Sequence, residues 1–347
     1  MSISYRTRRR LHRLGTALLA LLVFGAFAWL CWVIWVERYI VYTDEGAHID
    51  FSLSANIPYG EVAQPPVIGE GPEIHYNEGE NAVNTSTDLV QIVGHYIPAD
   101  LLMNDLENVK KKVNDLPTNT PVMIDLKGGF GSFYYSSGIS EAVISASVDV
   151  KEVDALIQTM NQKNLYLIAR IPSFQDYSFA LKHVNSGIPF TGGGGALWMD
   201  SEGCYWLKPT DSAAVGWLTS IILELRGLGF DEVVLDEFMV PDSPRVVYKG
   251  DANTDLAETA AKLVSACTTN SFTVSFNVTS SSFPLPDGRC RMVLSNIPAR
   301  DVEVTAAQST VTDPQIRLVF IADSNDTRFD SFGVLRTIDL LDAEEEP

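Results

Sequence analysis

From Leu89 onward the chain is built on one repeated unit: a short run that is apolar nearly throughout, then a polar turn, then a stretch with helical spacing. The runs are LVQIVGHYI (Leu89–Ile97), PVMIDLK (Pro121–Lys127), NLYLIARI (Asn164–Ile171), EVVLDEF (Glu232–Phe238), FTVSFNV (Phe272–Val278), RMVLSNI (Arg291–Ile297), IRLVFIAD (Ile316–Asp323) and a weaker FGVLRTI (Phe332–Ile338). A strand that is apolar on both faces must be covered on both, which a parallel sheet with crossover helices achieves. Between the runs, Pro98-Ala99-Asp100 opens a helix with Leu102, Leu106, Val109 and Val113 on one face. Further helices are expected over Val150–Asn161, Ser212–Leu225 and Asp255–Ser265. Seven or eight such units in about 250 residues is the size of a (β/α)8 barrel. The expected fold is therefore α/β, a TIM-type barrel over residues 89–341 with an acidic tail over 342–347. The later helices are short or missing, notably between Val278 and Arg291, so the second half is expected to be eroded. A doubly wound sheet is set aside because GHYIPAD after the first strand is no glycine-rich phosphate turn.

The N-terminus has a different composition. Leu14–Val36 carries no charged residue and is long enough to cross about 30 Å of hydrocarbon. Arg6, Arg8, Arg9, Arg10 and Arg13 precede it in a basic tail over 1–13 that the positive-inside rule keeps in the cytoplasm. Trp29, Trp32 and Trp35 suit the outer interface. Ala26-Phe27-Ala28 is a small-x-small cleavage pattern, but the apolar run continues through WLCWVIWV after it, which favours an uncleaved signal anchor over a cleaved signal peptide. Residues 37–88 are polar and acidic, without sustained period, and read as an extracytoplasmic spacer, with His48–Leu53 able to pair as an edge strand.

The formal net charge is −19, from 44 acids and 25 bases. All five bases before Glu37 lie in the arginine-rich tail, so the remainder carries 44 − 20, an excess of 24 acids. Such a domain repels nucleic acid, and no nucleic-acid partner is expected. Four cysteines, Cys31, Cys204, Cys267 and Cys290, lack C-x-x-C spacing, and no metal is expected. Cys267 and Cys290 are open to two readings, a disulfide at neighbouring strand starts or two buried free thiols.

The carboxyl ends of the strands turn polar: His95, Asp125 with Lys127, Arg170, Asp236 with Glu237, Asn277, Ser295 with Asn296, and Asp323. The amino-terminal ends show no comparable concentration. In a barrel the carboxyl ends converge on one mouth, where such folds carry function; capping or core hydrogen bonding is the alternative for any single residue. Asp236 and Glu237 are adjacent and face opposite ways unless the strand bends at its end. A carboxylate beside Arg170 and Lys127 would be kept charged by those cations. That suits a nucleophile or a stabiliser of an oxocarbenium-like transition state, whereas a second, less solvated acid would protonate the leaving oxygen. Asp236 is the candidate nucleophile and Glu237 the first candidate acid, with Asp125 and Asp323 also possible.

A long loop follows the third strand and holds Gly192–Gly195, Trp198, Tyr205 and Trp206. Aromatic faces stack on sugar rings, so these suggest a glycan ligand, but they are equally able to close the barrel end. The glycines suit a mobile lid. No Lys-Ser/Thr follows them, so a phosphate cradle is disfavoured, and no cofactor is expected.

Three stretches resemble a family of glycoside-hydrolase barrel domains of bacterial secreted or anchored proteins: VMIDLKGGFGSFYYSS (Val122–Ser137), LYLIARIPSFQD (Leu165–Asp176), and WMDSEGCYWLKP (Trp198–Pro209) followed by GFDEVVLDEFMVP. The resemblance implies a TIM-type, amylase-clan-like barrel and carbohydrate hydrolysis. Asp125, Lys127, Arg170, Asp176, Trp198, Trp206 and Asp236 match the family's pattern. Gly128 and Gly129 stand where it has paired acids, Glu237 where it has Tyr, and Asn277 where amylase-like barrels place an acid/base Glu. His95, Lys127, Arg170, Trp198, Trp206, Asn277 and Asp323 complete the site as candidate substrate-binding residues. The expectation is an anchored extracytoplasmic glycosidase acting on polysaccharide or cell-wall glycan. The alternatives are a barrel that holds glycan or an envelope partner without cleaving it, and an envelope scaffold.

Overall fold

The computed structural model describes Trp29 and residues 40–43, 46–49, 89–192 and 195–344. The chain divides into two units, 1–80 and 81–347. In the first, β1 (Ile40–Thr43) pairs antiparallel with β2 (Gly46–Ile49), so the expected edge strand at His48 begins earlier and closes on its own sequence neighbour. No described helix is long and apolar enough to cross a membrane, and the expected span Leu14–Val36 lies outside the described residues apart from Trp29.

The second unit is a closed barrel of parallel strands: β3 (Val93–Ile97), β4 (Pro121–Asp125), β7 (Tyr166–Pro172), β8 (Glu232–Asp236), β9 (Thr273–Asn277), β10 (Met292–Ser295), β11 (Leu318–Ala322) and β12 (Gly333–Thr337). β12 pairs with β3, Arg336 opposite His95, and shuts the ring. All eight apolar runs are thus strands, trimmed by up to four residues at an end, except that β7 runs one residue past its expected end to Pro172. Two short strands, β5 (Ser132–Phe133) and β6 (Val143–Ile144), pair in the loop after β4.

The helices follow local signals. Asp149, Asp211 and Asp251 accept backbone N–H bonds at the starts of α3 (Val150–Gln162), α5 (Ser212–Gly227) and α6 (Ala252–Cys267), satisfying donors that the helix itself cannot. On α3 the buried residues Val153, Leu156, Ile157 and Met160 recur at three- and four-residue steps, the stripe that seats a helix on a sheet. Each such apolar side chain contributes about 1.5–3 kcal/mol on burial. The single helix expected after β3 is broken instead. α1 (Ala99–Asn104) and α2 (Leu106–Asp115) are separated by Asp105, whose backbone leaves the helical region at φ −144° and whose carboxylate accepts from Asn108 Nδ2 at 3.1 Å. That carboxylate bonds a side chain and caps no backbone N–H of α2.

The second half is eroded as expected. No helix joins β9 to β10, and a 3-10 turn (Ala299–Asp301), α7 (Val302–Gln308) and the one-turn α8 (Pro314–Arg317) lie between β10 and β11. The helix-free connection is held from inside by the buried Arg317, which donates to the carbonyls of Cys290 and Pro286 at 3.1 and 3.2 Å. Cys267 and Cys290 are buried free thiols, the second of the two readings of that pair.

The lumen is filled along alternate positions. Met123, Ile168, Val234, Val293, Val319 and Leu335 form its apolar middle, in contact with Ile92 and Tyr96. Below this layer lies a polar one that the sequence reading missed, and the expectation of bland amino-terminal strand ends is overturned. Glu232, 1 % exposed, pairs with Arg291, 1 % exposed, and accepts from Tyr166 Oη at 2.9 Å and from Ser275 Oγ. Arg291 further donates to the carbonyl oxygens of Val90 at 3.0 Å and Ile316 at 3.3 Å. The pair joins residues 59 positions apart, so neither looks unusual within its own strand.

Candidate active site

The carboxyl ends of β3, β4, β7, β8, β9 and β10 meet in one hydrogen-bonded cluster. Because side chains alternate, Tyr166, Ile168 and Arg170 share the inner face of β7, and Glu232, Val234 and Asp236 share that of β8. Arg170 and Asp236 therefore enter the lumen one layer above its apolar middle. The Arg170 guanidinium forks between two carboxylates, Asp125 at 2.9 Å through Nη1 and Asp236 at 2.6 Å through Nη2. Its Nε is buried and has no hydrogen-bond partner among the described residues. Tyr96 Oη donates to Asp125 at 2.8 Å and accepts from Arg170 at 2.7 Å, and the Ala99 N–H donates to the same Asp125 oxygen at 3.0 Å. On the far side, Asn277 Nδ2 donates to Asp236 at 2.6 Å and lies 2.9 Å from Ser295 Oγ.

The chain bends where the two acids meet. Glu237 adopts φ +50°, in the left-handed region, and Ser173 Oγ donates to the carbonyls of Asp236 at 2.7 Å and Glu237 at 3.0 Å. A non-glycine residue in this region is costly and must be held there by its surroundings. The turn breaks the strict alternation of the strand at Glu237, which is half-buried. Its carboxyl is pushed up to about 7, first by burial, then by the charge of Asp236, with Arg170 opposing and Glu202 and Asp200 adding. Burial also raises Asp125, against the lowering pull of Arg170. One guanidinium thus serves two carboxylates with a third acid beside them, and the surplus negative charge favours the protonated form at the least compensated position.

The other expected site residues take varied places. His95 alternates with Tyr96 and so faces the opposite side of β3 from the lumen. Lys127 is buried in an ion pair with Asp176 at 2.9 Å, and Asp176 also accepts from Trp217 Nε1 at 3.0 Å and caps α4 (Tyr177–Lys182) through the Phe179 N–H at 2.8 Å. The pair fastens the β4 loop to the β7 loop instead of reaching the acids. Asp323 is exposed beyond β11, outside the cluster. Trp206 is buried, 3 % exposed, and donates to Asp200 Oδ2 at 2.7 Å. Trp198 is half-buried and lines a cavity of about 550 Å³ with Phe190, Met199, Asp200 and Arg245.

The long loop after β7 is knitted rather than free. Asp200 Oδ1 accepts the N–H groups of Glu202 and Cys204, both at 2.9 Å, while Oδ2 accepts from Gln175 Nε2 at 2.8 Å as well as from Trp206. Met199 and Tyr205 pair across the resulting hairpin, and Gln175 pairs with Trp206 at its base. Gly193 and Gly194, half of the glycine run read as a lid, lie outside the described residues. Gly128 and Gly129 stand where the loops press together: a Cβ on either would collide with Tyr134 Oη or with the amide of Gln175.

Tyr96, Ser295 and Asp200 are the participants that sequence reasoning left without a role. The signal for Tyr96 was its place one residue from the end of an apolar strand, on the face opposite His95.

Two known structures share the fold. The glycoside hydrolase domain of PgaB (BpsB) from Bordetella bronchiseptica is 11% identical, with a TM-score of 0.50 over 74% of this chain and 96% of that one. The galactosidase domain of the alpha-galactosidase-sucrose kinase AgaSK is 11% identical, with a TM-score of 0.50 over 72% of this chain but 38% of that one. A hypothetical protein from Ruminiclostridium thermocellum ATCC 27405 is 21% identical over 53% of this chain and 97% of its own, at a TM-score of 0.45. No curated protein sequence matches significantly. The sequence of residues 95–274, slightly more than half the chain, matches the family model described as "Putative glycosyl hydrolase domain". With that match over its parallel barrel, the chain belongs to the glycosyl hydrolase domain family.

Proposed function

We propose that this protein is a membrane-anchored, extracytoplasmic glycoside hydrolase acting on polysaccharide or cell-wall glycan. The observation that carries the reading is the contrast between two adjacent carboxyls: Asp236 is clamped by Arg170 and Asn277, and Glu237 is raised to about 7 beside it. Two carboxyls with different tasks are what glycosidic cleavage needs. Asp236 supports the positive charge that builds at the anomeric carbon, or attacks it. Glu237 gives its proton to the departing glycosidic oxygen as the C–O bond breaks, and then takes a proton from the incoming water. The anchoring and the external location rest on the arginine-rich tail followed by the uncharged Leu14–Val36.

The test is reducing-end release from a panel of polysaccharides and peptidoglycan by the purified 347-residue chain, beside Asp236→Asn and Glu237→Gln. Cleavage by the unmutated protein that either substitution abolishes supports the assignment; cleavage that survives both sinks it. A second reading, glycan binding without cleavage, is favoured by Asn277, which stands as an amide against Asp236 at 2.6 Å. Tight binding without product from the unmutated chain would select it.

A further inference from the structure

On the loops after β4 and β7, at the carboxyl end of the barrel, three aromatic rings meet at the surface. Tyr177 and Tyr205 stack with centroids 5.0 Å apart and planes 10° from parallel, and Phe130 tilts against Tyr177 at 5.9 Å. Phe130 is 53 % exposed, both tyrosines are half-buried, and Met199, the cross-hairpin neighbour of Tyr205, is 44 % exposed. Large apolar side chains left at the surface in a contiguous strip mark a binding surface more often than isolated ones do.

The strip is built rigidly. The Tyr177 N–H donates to the Gly129 carbonyl at 3.0 Å, the Asp176 N–H to that of Tyr205 at 3.0 Å, and Ser178 Oγ to that of Phe130 at 2.7 Å. Below it the Lys127–Asp176 pair joins the same two loops. Little conformational freedom is left to lose on binding, the condition under which an aromatic surface is effective. The strip also lies on the loops that follow β4 and β7, at the carboxyl end of the barrel where the acids stand. Its hairpin carries Asp200 and Glu202, whose charges act on Glu237.

We propose that Phe130, Tyr177 and Tyr205 form a stacking subsite for a neutral polysaccharide, holding sugar units of the chain beyond those engaged by the carboxyls. The inference rests on the glycoside hydrolase reading and names its substrate class. Pyranose rings present apolar C–H faces that fit aromatic faces. Neutrality follows from charge: an anionic polymer would be repelled by the acids of the hairpin and by the domain's surplus of acids.

The test is native affinity electrophoresis of the whole chain through gels containing hydroxyethyl cellulose, arabinoxylan, galactomannan or dextran, with alginate as the anionic gel. Retardation is expected in at least one neutral gel. Tyr177→Ala and Tyr205→Ala should each weaken it about tenfold, a difference of about 1.4 kcal/mol. Tyr205→Phe, which keeps the ring, and Asp236→Asn, which leaves the strip intact, should retain it. Thermal melts of each variant exclude unfolding as the cause. Retardation in alginate alone, in no gel, or undiminished from the unmutated chain in both alanine variants overturns the subsite. Because the gel reads binding and not turnover, failure of the hydrolase assignment would appear as missing cleavage with Tyr177- and Tyr205-dependent retardation intact.

Discussion

The barrel carries two polar layers, one at each end of its lumen, made from nearly the same parts. At the bottom stand Tyr166, Glu232, Arg291 and Ser275; at the top stand Tyr96, Asp125, Asp236, Arg170 and Ser295. Strand β8 supplies an acid to both, Glu232 at its first residue and Asp236 at its last. The difference lies in charge and exposure. The bottom pairs one arginine with one glutamate, both 1 % exposed, with further donors filling the carboxylate. The top sets one arginine against two carboxylates and places Glu237 alongside. A balanced, saturated, dry cluster holds strands in register, whereas an unbalanced one must keep a proton somewhere, and a proton held near neutral pH can be transferred.

The largest expected effect tests the top layer. Asp236→Asn should lower kcat/KM by at least about 10⁴-fold, on the order of 5–6 kcal/mol of transition-state stabilisation, with a small change in melting temperature. Assays on the best substrate from the glycan panel, paired with calorimetry, separate the two readouts. The bottom layer should respond in the opposite sense. Glu232→Gln strands the buried Arg291 and should cost about 3–5 kcal/mol by urea unfolding, while activity per folded molecule stays close to that of the unmutated chain. If Glu232→Gln instead loses activity and keeps stability, the contrast between the layers is wrong.

Glu237→Gln comes next, with a loss of about 10²-fold in kcat/KM. A general acid held at about 7 predicts that kcat/KM of the unmutated protein falls as pH rises through 7, and that the variant lacks this limb. The same group has a signed effect on stability. Its folded-state affinity for the proton exceeds the unfolded one, so its contribution is fully present below about pH 4 and lost as pH rises through 7. Glu237→Gln should therefore be about 1–2 kcal/mol more stable than the unmutated chain at pH 8, and no more stable at pH 4. The smallest effect tests the loop rim. Gly129→Ala pushes the Gln175 amide away from Asp200 and should cost about 1 kcal/mol, read as a melting shift with KM raised more than kcat is lowered.

The ring of strands was legible because burial on two faces leaves a one-dimensional trace, a run of apolar residues with polar ends. Asp236, Asp125 and Arg170 were legible for the related reason that a charge at the end of such a run has few other uses. What the sequence hid was partnership. Lys127 reads as a mouth cation two residues past Asp125, yet it pairs with Asp176, 49 positions away on another loop. Glu232 and Arg291 read as ordinary strand edges until the barrel closes and brings them together. Glu237 sits on a backbone turn, and nothing local marks a glutamate for φ +50°. Trp206 matched a family position but is a buried donor to Asp200, its indole spent on the hairpin.

Asp176 lies within the same family match. One oxygen caps α4, and the other accepts from Trp217 on α5 and meets the Lys127 ammonium from the β4 loop. Local opening of any one of these elements would strand a buried charge, so they should open together or not at all. In hydrogen exchange the amides of Tyr177 and Phe179 should then be as slow as those of the barrel strands, despite belonging to a surface loop. The aromatic strip would thus present the same arrangement to a passing polymer before and after contact.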